Sequence, residues 1–253
     1  MTGSPPAITA RDLTKRYGRT TALDGLDLDV PAGDVYGFLG PNGAGKTTTM
    51  RILTGLVDPT DGSATVAGVD CTDRAALVDH IGLLPETPPL YDELTAREQL
   101  QFAADLRGLE WDAVADRALA LCEDLALTDD LDARIDGYSK GMSQKTAFVQ
   151  AVQHDPDVLF LDEPTSGLDP RAAKTLREVI DGLAAADTTV FLSTHILSVV
   201  EEIADRVGVL HDSRLVAEGS PSDLVGRLDG DAGDGADLED AFLELTAERS
   251  EPP

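Results

Sequence analysis

A chain of 253 residues, 42% of them hydrophobic, buries about 70 to 75% of its unfolded surface, enough for one large domain or two lobes around a full core. Only 4% of the residues are aromatic, so that core rests on Leu, Val, Ile and Ala. Asp and Glu outnumber Lys and Arg by 47 to 20, a formal net charge of −27, and a surface of that sign repels nucleic acid and argues against it as a partner.

The carboxylates are spread from Asp12 to Glu251. That spread favours a halophilic source, where the screening length falls to roughly 3 Å at 1 M salt, over an ordinary acidic protein with one charged tail. Cys71 and Cys122 lie far apart and fit no metal spacing, which predicts a reduced, intracellular setting. Met1 to Ala7 shows no basic region followed by an apolar stretch, and no run approaches 18 apolar residues. A soluble chain is expected, serving a membrane only through another polypeptide.

In chain order, Ala7 to Leu13 reads as an opening strand, Arg16-Tyr17-Gly18 as a turn, and Leu26 to Val30 as a half-exposed strand of alternating polarity that ends at Pro31-Ala32-Gly33. Asp34 to Leu39 is an apolar run with the character of a buried strand. It leads directly into Gly40-Pro41-Asn42-Gly43-Ala44-Gly45-Lys46-Thr47-Thr48, a full match to G-x-x-x-x-G-K-[ST] in the context of strand, loop and helix. Glycines at 40, 43 and 45 are expected to take positive φ, so that successive N–H groups converge on phosphate oxygens. Lys46 adds a mobile positive charge. The helix beginning near Thr47 turns its unpaired N–H groups and positive dipole end to the same anion, with the Thr47 hydroxyl placed for a magnesium ion.

Asp58 to Gly62 then forms a turn, and Ser63 to Val69 a short strand. From about residue 87 to 153 the pattern is helical. Thr95-Ala96-Arg97-Glu98 is a capping box, Phe102, Leu106 and Leu109 share one helical face, and Val114, Ala118, Leu121 and Leu125 form a second stripe. Strand signals return at Val158 to Leu161, followed by the helical stripe Leu176, Val179, Ile180 and Leu183 and by a strand at Thr189 to Leu192. That succession predicts a parallel sheet. Val207 to Leu210 and Leu215 to Ala217 read as a hairpin across Asp212-Ser213, Asp229 to Asp240 as an acidic Gly-rich linker, and Leu238, Ala241, Phe242 and Leu245 as a terminal helix. Asp162 and Glu163 close the buried run before Pro164, at the carboxyl end of a strand where open α/β sheets bind ligands. In nucleotide chemistry Asp162 would hold magnesium, and Glu163 would orient and deprotonate the attacking water.

With the phosphate loop and the carboxylate pair together, the chain resembles the ATP-binding subunit of ABC transporters. Tyr138-Ser139-Lys140-Gly141-Met142 stands in place of the family's signature Leu-Ser-Gly-Gly-Gln, with Ser139 and Gly141 matching and three positions departing. Ser166-Gly167-Leu168-Asp169 matches its D-loop, His195 its switch histidine against the terminal phosphate, and Tyr17 the aromatic residue that stacks on adenine. Taken singly, each has a plainer reading: Ser139 as a helix cap, His195 as a structural histidine, Tyr17 as a half-buried tyrosine. Pro85-Glu86 replaces the usual Pro-Gln at the loop coupling nucleotide to the membrane partner; Glu86 still accepts from a metal-bound water but does not donate as an amide does.

The resemblance covers residues 7 to about 248 and is closest to the subgroup serving type-two exporters. It implies a P-loop NTPase fold of α/β class, with a parallel-sheet core, an antiparallel β subdomain and an inserted helical subdomain. The expected division is an ATPase domain over 1–227, with the core lobe at about 1–86 and 154–227 and the helical insertion at about 87–153, followed by the linker and short helix of 228–253. It further implies ATP as substrate with Mg2+, bound by Tyr17, Gly40 to Thr48, Ser139, Gly141 and Asp169. Thr47, Glu86 and Asp162 would serve the metal, and Glu163 and His195 catalysis. A head-to-tail homodimer would drive a membrane permease from the cytoplasmic face of the membrane. The rivals are a soluble relative working on DNA or ribosomes, which would carry a coiled-coil insertion, a second ATPase domain or basic segments, and a nucleotide-gated interaction module without sustained turnover.

Overall fold

The computed structural model describes residues 5–226 and 237–247. Strands β1 (Ile8–Tyr17) and β2 (Thr20–Val30) form a hairpin across Gly18-Arg19, with Gly18 at φ 60. Both strands run further than their apolar patterns suggested. β1 is bulged at Asp12 (φ 48), where the register shifts and the alternation is lost. β3 (Val35–Leu39) is buried throughout and feeds the loop ahead of α1 (Lys46–Leu53). The single strand expected over Ser63 to Val69 is two, β4 (Asp61–Val66) and β5 (Val69–Asp70), folded back on each other by positive φ at Ala67 and Gly68.

After α2 (Arg74–Leu77) comes β6 (Ile81–Leu84), a strand that periodicity missed. Next are α3 (Ala96–Leu106), α4 (Trp111–Asp124) and α5 (Lys140–Val152). The capping box at Thr95 and Glu98 is present, and Val114, Ala118, Leu121 and Leu125 are buried. The face expected of Phe102, Leu106 and Leu109 is corrected. α3 buries Ala96, Gln99, Leu100, Ala103 and Ala104, Leu106 is 72% exposed, and the Phe102 ring meets Tyr91 edge-on at 5.4 Å. Small residues around Leu100 make up the buried face, so the side that packs is not the one carrying the bulkiest residues.

The chain continues through β7 (Val158–Asp162), α6 (Pro170–Ala185), β8 (Thr189–Thr194), α7 (Leu197–Ile203), β9 (Arg206–His211), β10 (Arg214–Gly219), α8 (Pro221–Val225) and α9 (Leu238–Ala247). α9 begins inside the stretch read as linker; the remainder of that stretch, to residue 236, lies outside the described residues.

Two sheets result. One is antiparallel, in the order β2-β1-β4-β5. The other has the order β10-β9-β3-β8-β7-β6 and is parallel except for β10. β3, β7 and β8 are buried along their whole length, as strands covered on both faces must be. One core lies between the two sheets, around Tyr36, Phe38, Phe160 and Phe191; the other joins the opposite face to α3 to α7. The α/β architecture expected from the sequence is thereby borne out. Among the described residues no helix is long and apolar enough to cross a membrane.

Candidate nucleotide-hydrolysing site

The loop after β3 is built by two different uses of glycine. Gly43 (φ 85) and Gly45 (φ 115) take the left-handed backbone that was expected. Gly40 does not: it is small because a Cβ there would strike the carbonyl of Leu210 on β9. Pro41, Asn42 and Gly43 are exposed at the loop's outer edge, Ala44 N–H closes it onto the Pro41 carbonyl at 3.2 Å, and Gly45 caps α1. Lys46 is buried and held rather than mobile. Its Nζ donates to the carbonyls of Gly40 (2.6 Å) and Pro41 (3.2 Å), and burial lowers its pKa against the opposing pull of Glu163 and Asp162. Thr47 is exposed beside it and Thr48 half-buried, so the first turn of α1 presents free hydroxyl and N–H groups to the loop's mouth.

Asp162 ends β7 and is 7% exposed. Burial raises its pKa, with Glu163 and Glu86 adding to the rise, against the Ser193 hydroxyl and Lys46. Thr47, Glu86 and Asp162 all line one cavity of 260 Å³. Two carboxylates and a hydroxyl around an open space suit a cation that keeps several waters and takes the rest of its shell from phosphate, as Mg2+ does. Among the described residues no group of three or more His, Cys, Asp and Glu forms a closed metal cage.

Glu163 sits at φ 50, a strained left-handed conformation for a residue with a side chain. Its N–H donates to Ser193 C=O (2.8 Å), which hooks it onto the end of β8. Its Oε1 accepts from the His195 N–H (3.0 Å) and lies 2.7 Å from His195 Nδ1, while Oε2 accepts from the Thr194 hydroxyl (2.9 Å). A carboxylate only accepts, so Nδ1 carries the proton and Nε2, on a ring whose side chain is 63% exposed, faces outward. The sequence reading found Glu163 and His195 but missed Thr194, whose only signal was its place at the end of a buried strand.

The other expected residues sit on other elements: Tyr17 ends β1, Ser139 and Gly141 begin α5, and Asp169 precedes α6. Ser139 caps α5, accepting from Met142 N–H at 3.2 Å, and Asp169 caps α6, accepting from Arg171 and Ala172 N–H, which lowers its pKa. Within one chain both therefore do what caps do. Ser139, Gly141 and the 166–168 segment form a second cluster, with Lys140 Nζ donating to Ser166 Oγ and Gly141 packed near Leu168. Tyr17 is 47% exposed at the β1–β2 hairpin, with the Lys15 ammonium 5.1 Å from its ring centre. Two of the three departures from the signature are absorbed into packing, since Tyr138 OH donates to Asp130 C=O at 2.6 Å and Met142 lies against the core.

A glycine-rich loop at the end of a central parallel strand, with a buried lysine and two carboxylates at the carboxyl end of β7, one strand removed across β8, defines a P-loop nucleoside triphosphatase. The family profile for ABC transporters matches residues 23–166. The bacitracin transport ATP-binding protein BcrA of Bacillus licheniformis is 40% identical over 213 residues, covering 83% of this chain and 69% of its own. The daunorubicin/doxorubicin resistance ATP-binding protein DrrA of Streptomyces peucetius is 40% identical over 223 residues, 88% of this chain and 68% of its own. A solved structure of the ATP-binding subunit of an ABC transporter superposes with a TM-score of 0.86 at 33% identity, covering 94% of this chain and 99% of that one. The chain belongs to the ABC transporter family, as an ATP-binding and ATP-hydrolysing subunit.

Proposed function

We propose that this subunit hydrolyses ATP at a site shared between two copies of the chain and thereby drives a separate membrane permease in the export direction. The observation that carries the reading is the placement of Glu163 and Asp162 beside Lys46, while Ser139 and Gly141 form a different cluster with residues 166–168. Each chain supplies both halves, so a head-to-tail pair has two complete sites. In that pair Gly40 to Thr48 cradle the phosphates, Tyr17 stacks on adenine, and Ser139, Gly141 and Asp169 approach the nucleotide from the other copy.

Glu163, aligned by Thr194 and His195, takes the proton of the attacking water, and His195 Nε2 lies free to contact the terminal phosphate. Thr47, Glu86 and Asp162 would hold Mg2+, which when bound neutralises charge on the β- and γ-phosphates. The domain division at about 87–153 gives the moving lobe, with Glu86 at its hinge facing the permease. Relatives named for bacitracin transport and for daunorubicin/doxorubicin resistance support the exporter reading. Peripheral attachment at the cytoplasmic face follows from the same reading.

Glu163→Gln should keep ATP affinity and lose nearly all turnover; a variant that still hydrolyses at the wild-type rate refutes the base. The permease is tested by affinity capture from mild-detergent extracts at high salt. A stoichiometric partner with several membrane-spanning helices supports the reading, and recovery of ribosomal or repair factors alone points to the soluble rival.

A further inference from the structure

We propose that Lys140 is a positioning residue that holds the turn carrying Glu163, a role that rests on the assignment of Glu163 as the base. Lys140 stands where the family's signature has glycine, and an ammonium in the first turn of α5 opposes the helix dipole, so it does not stabilise that helix. It reaches across to the turn after β7. There its Nζ donates to Ser166 Oγ at 3.0 Å, and the Ser166 N–H in turn donates to the Glu163 carbonyl at 3.0 Å, closing the turn. Among the described residues Lys140 forms no ion pair, so the serine hydroxyl is its defined partner.

Two further features fit a clasp. Gly167, at φ 79, carries no side chain where one would run into the Lys140 stem, so the turn leaves room for the lysine. One helical turn along α5, Gln144 Nε2 donates to the Pro164 carbonyl at 3.2 Å in a buried contact, so the same helix face grips the turn at a second point. Glu163 is held at φ 50 between this clasp and its N–H bond to Ser193. A backbone in that conformation persists only where its surroundings over-determine it. The helix whose N-terminus carries Ser139 and Gly141 is thus tied, within one chain, to the carboxylate that acts at the other cluster, and a shift of α5 moves Glu163.

The test is steady-state ATP hydrolysis and equilibrium ATP binding by the full chain and by Lys140→Gly, Lys140→Gln, Ser166→Ala, the Lys140→Gly/Ser166→Ala double variant and Glu163→Gln. Misplacing a base by a fraction of an ångström should lower kcat about tenfold in Lys140→Gly and in Ser166→Ala, with KM and ATP affinity within about twofold of wild type. The double variant should be no slower than either single one, and Lys140→Gln, which keeps a donor, should recover most of the rate. Weakened ATP affinity in Lys140→Gly, with Ser166→Ala unaffected, would make the lysine a phosphate contact and overturn the clasp. Unchanged kcat in Ser166→Ala overturns it equally. Should Glu163→Gln itself keep turning over, the base assignment fails; if it is inactive while Lys140→Gly and Ser166→Ala keep full kcat, only the positioning role fails.

Discussion

Replacing Lys46 with Met separates ligand binding from folding. Lys46 is 8% exposed and its ammonium donates to the carbonyls of Gly40 and Pro41, with Asp162 and Glu163 near enough to oppose the lowering of its pKa by burial. Without nucleotide the two effects of Lys46→Met oppose each other. Two loop carbonyls lose a donor, at about 1 to 3 kcal/mol, while the cost of holding a charge in a dry site disappears. The melting temperature should therefore stay within about 5 °C of wild type for a chain of this size. With nucleotide the loss is one-sided. A charge-assisted hydrogen bond to phosphate contributes about 1.5 to 3 kcal/mol, which is about 10- to 150-fold in affinity. Fluorescence titration with ATP, beside thermal unfolding of the same preparation, reads both quantities. Affinity within about threefold of wild type, with an intact melt, would refute the assignment of Lys46 to the phosphates.

Asp162→Asn should raise the melting temperature of the nucleotide-free protein, because burial and the carboxylates of Glu163 and Glu86 make its ionised form costly, and should abolish the magnesium dependence of ATP binding. A lower melting temperature would contradict the first part, and metal dependence kept at wild-type strength the second. Burial, with Arg107 adding to it, pushes His154 from the usual 6.5 down to about 4. The unfolded chain therefore takes a proton that the folded one refuses. Stability should fall as pH drops from 6.5 toward 4, by at most about 3 kcal/mol, and His154→Gln should flatten that part of the profile in urea unfolding. Tyr17→Ala should weaken ATP binding about fivefold and leave inorganic tripolyphosphate binding unchanged; equal losses for both would remove the stacking role. If the acidic surface is an adaptation to salt, the melting temperature should climb by at least about 5 °C between 0.1 and 1 M KCl, and a flat response would count against a halophilic source.

What the sequence made legible was local. The phosphate loop, the carboxylates closing β7 and the fully apolar strands are each written in contiguous residues, and all lie where they were expected. Features decided by distant packing were harder to read. β6 is four residues long and contains Gly82, which is small because the carbonyl of Ala151 on α5 lies against it, a fact with no local trace. The face of α3 differs from the expected one because it is built from alanines and a glutamine around Leu100, with Leu106 turned outward. Gly40 fits the phosphate-loop pattern for a steric reason that the pattern does not distinguish from positive φ. The grip of Thr194 and His195 on Glu163, and of Lys140 on Ser166, joins segments about 30 residues apart and is visible only once the strands are side by side.

The shared site is tested most directly by light scattering of Glu163→Gln with and without Mg-ATP at high salt. The 26.7 kDa chain should double in mass when ATP is added, and Lys46→Met in the same background should abolish the doubling. A Glu163→Gln chain that binds ATP with full affinity yet stays at the mass of one copy would contradict a site completed by Ser139 and Gly141 of a second chain.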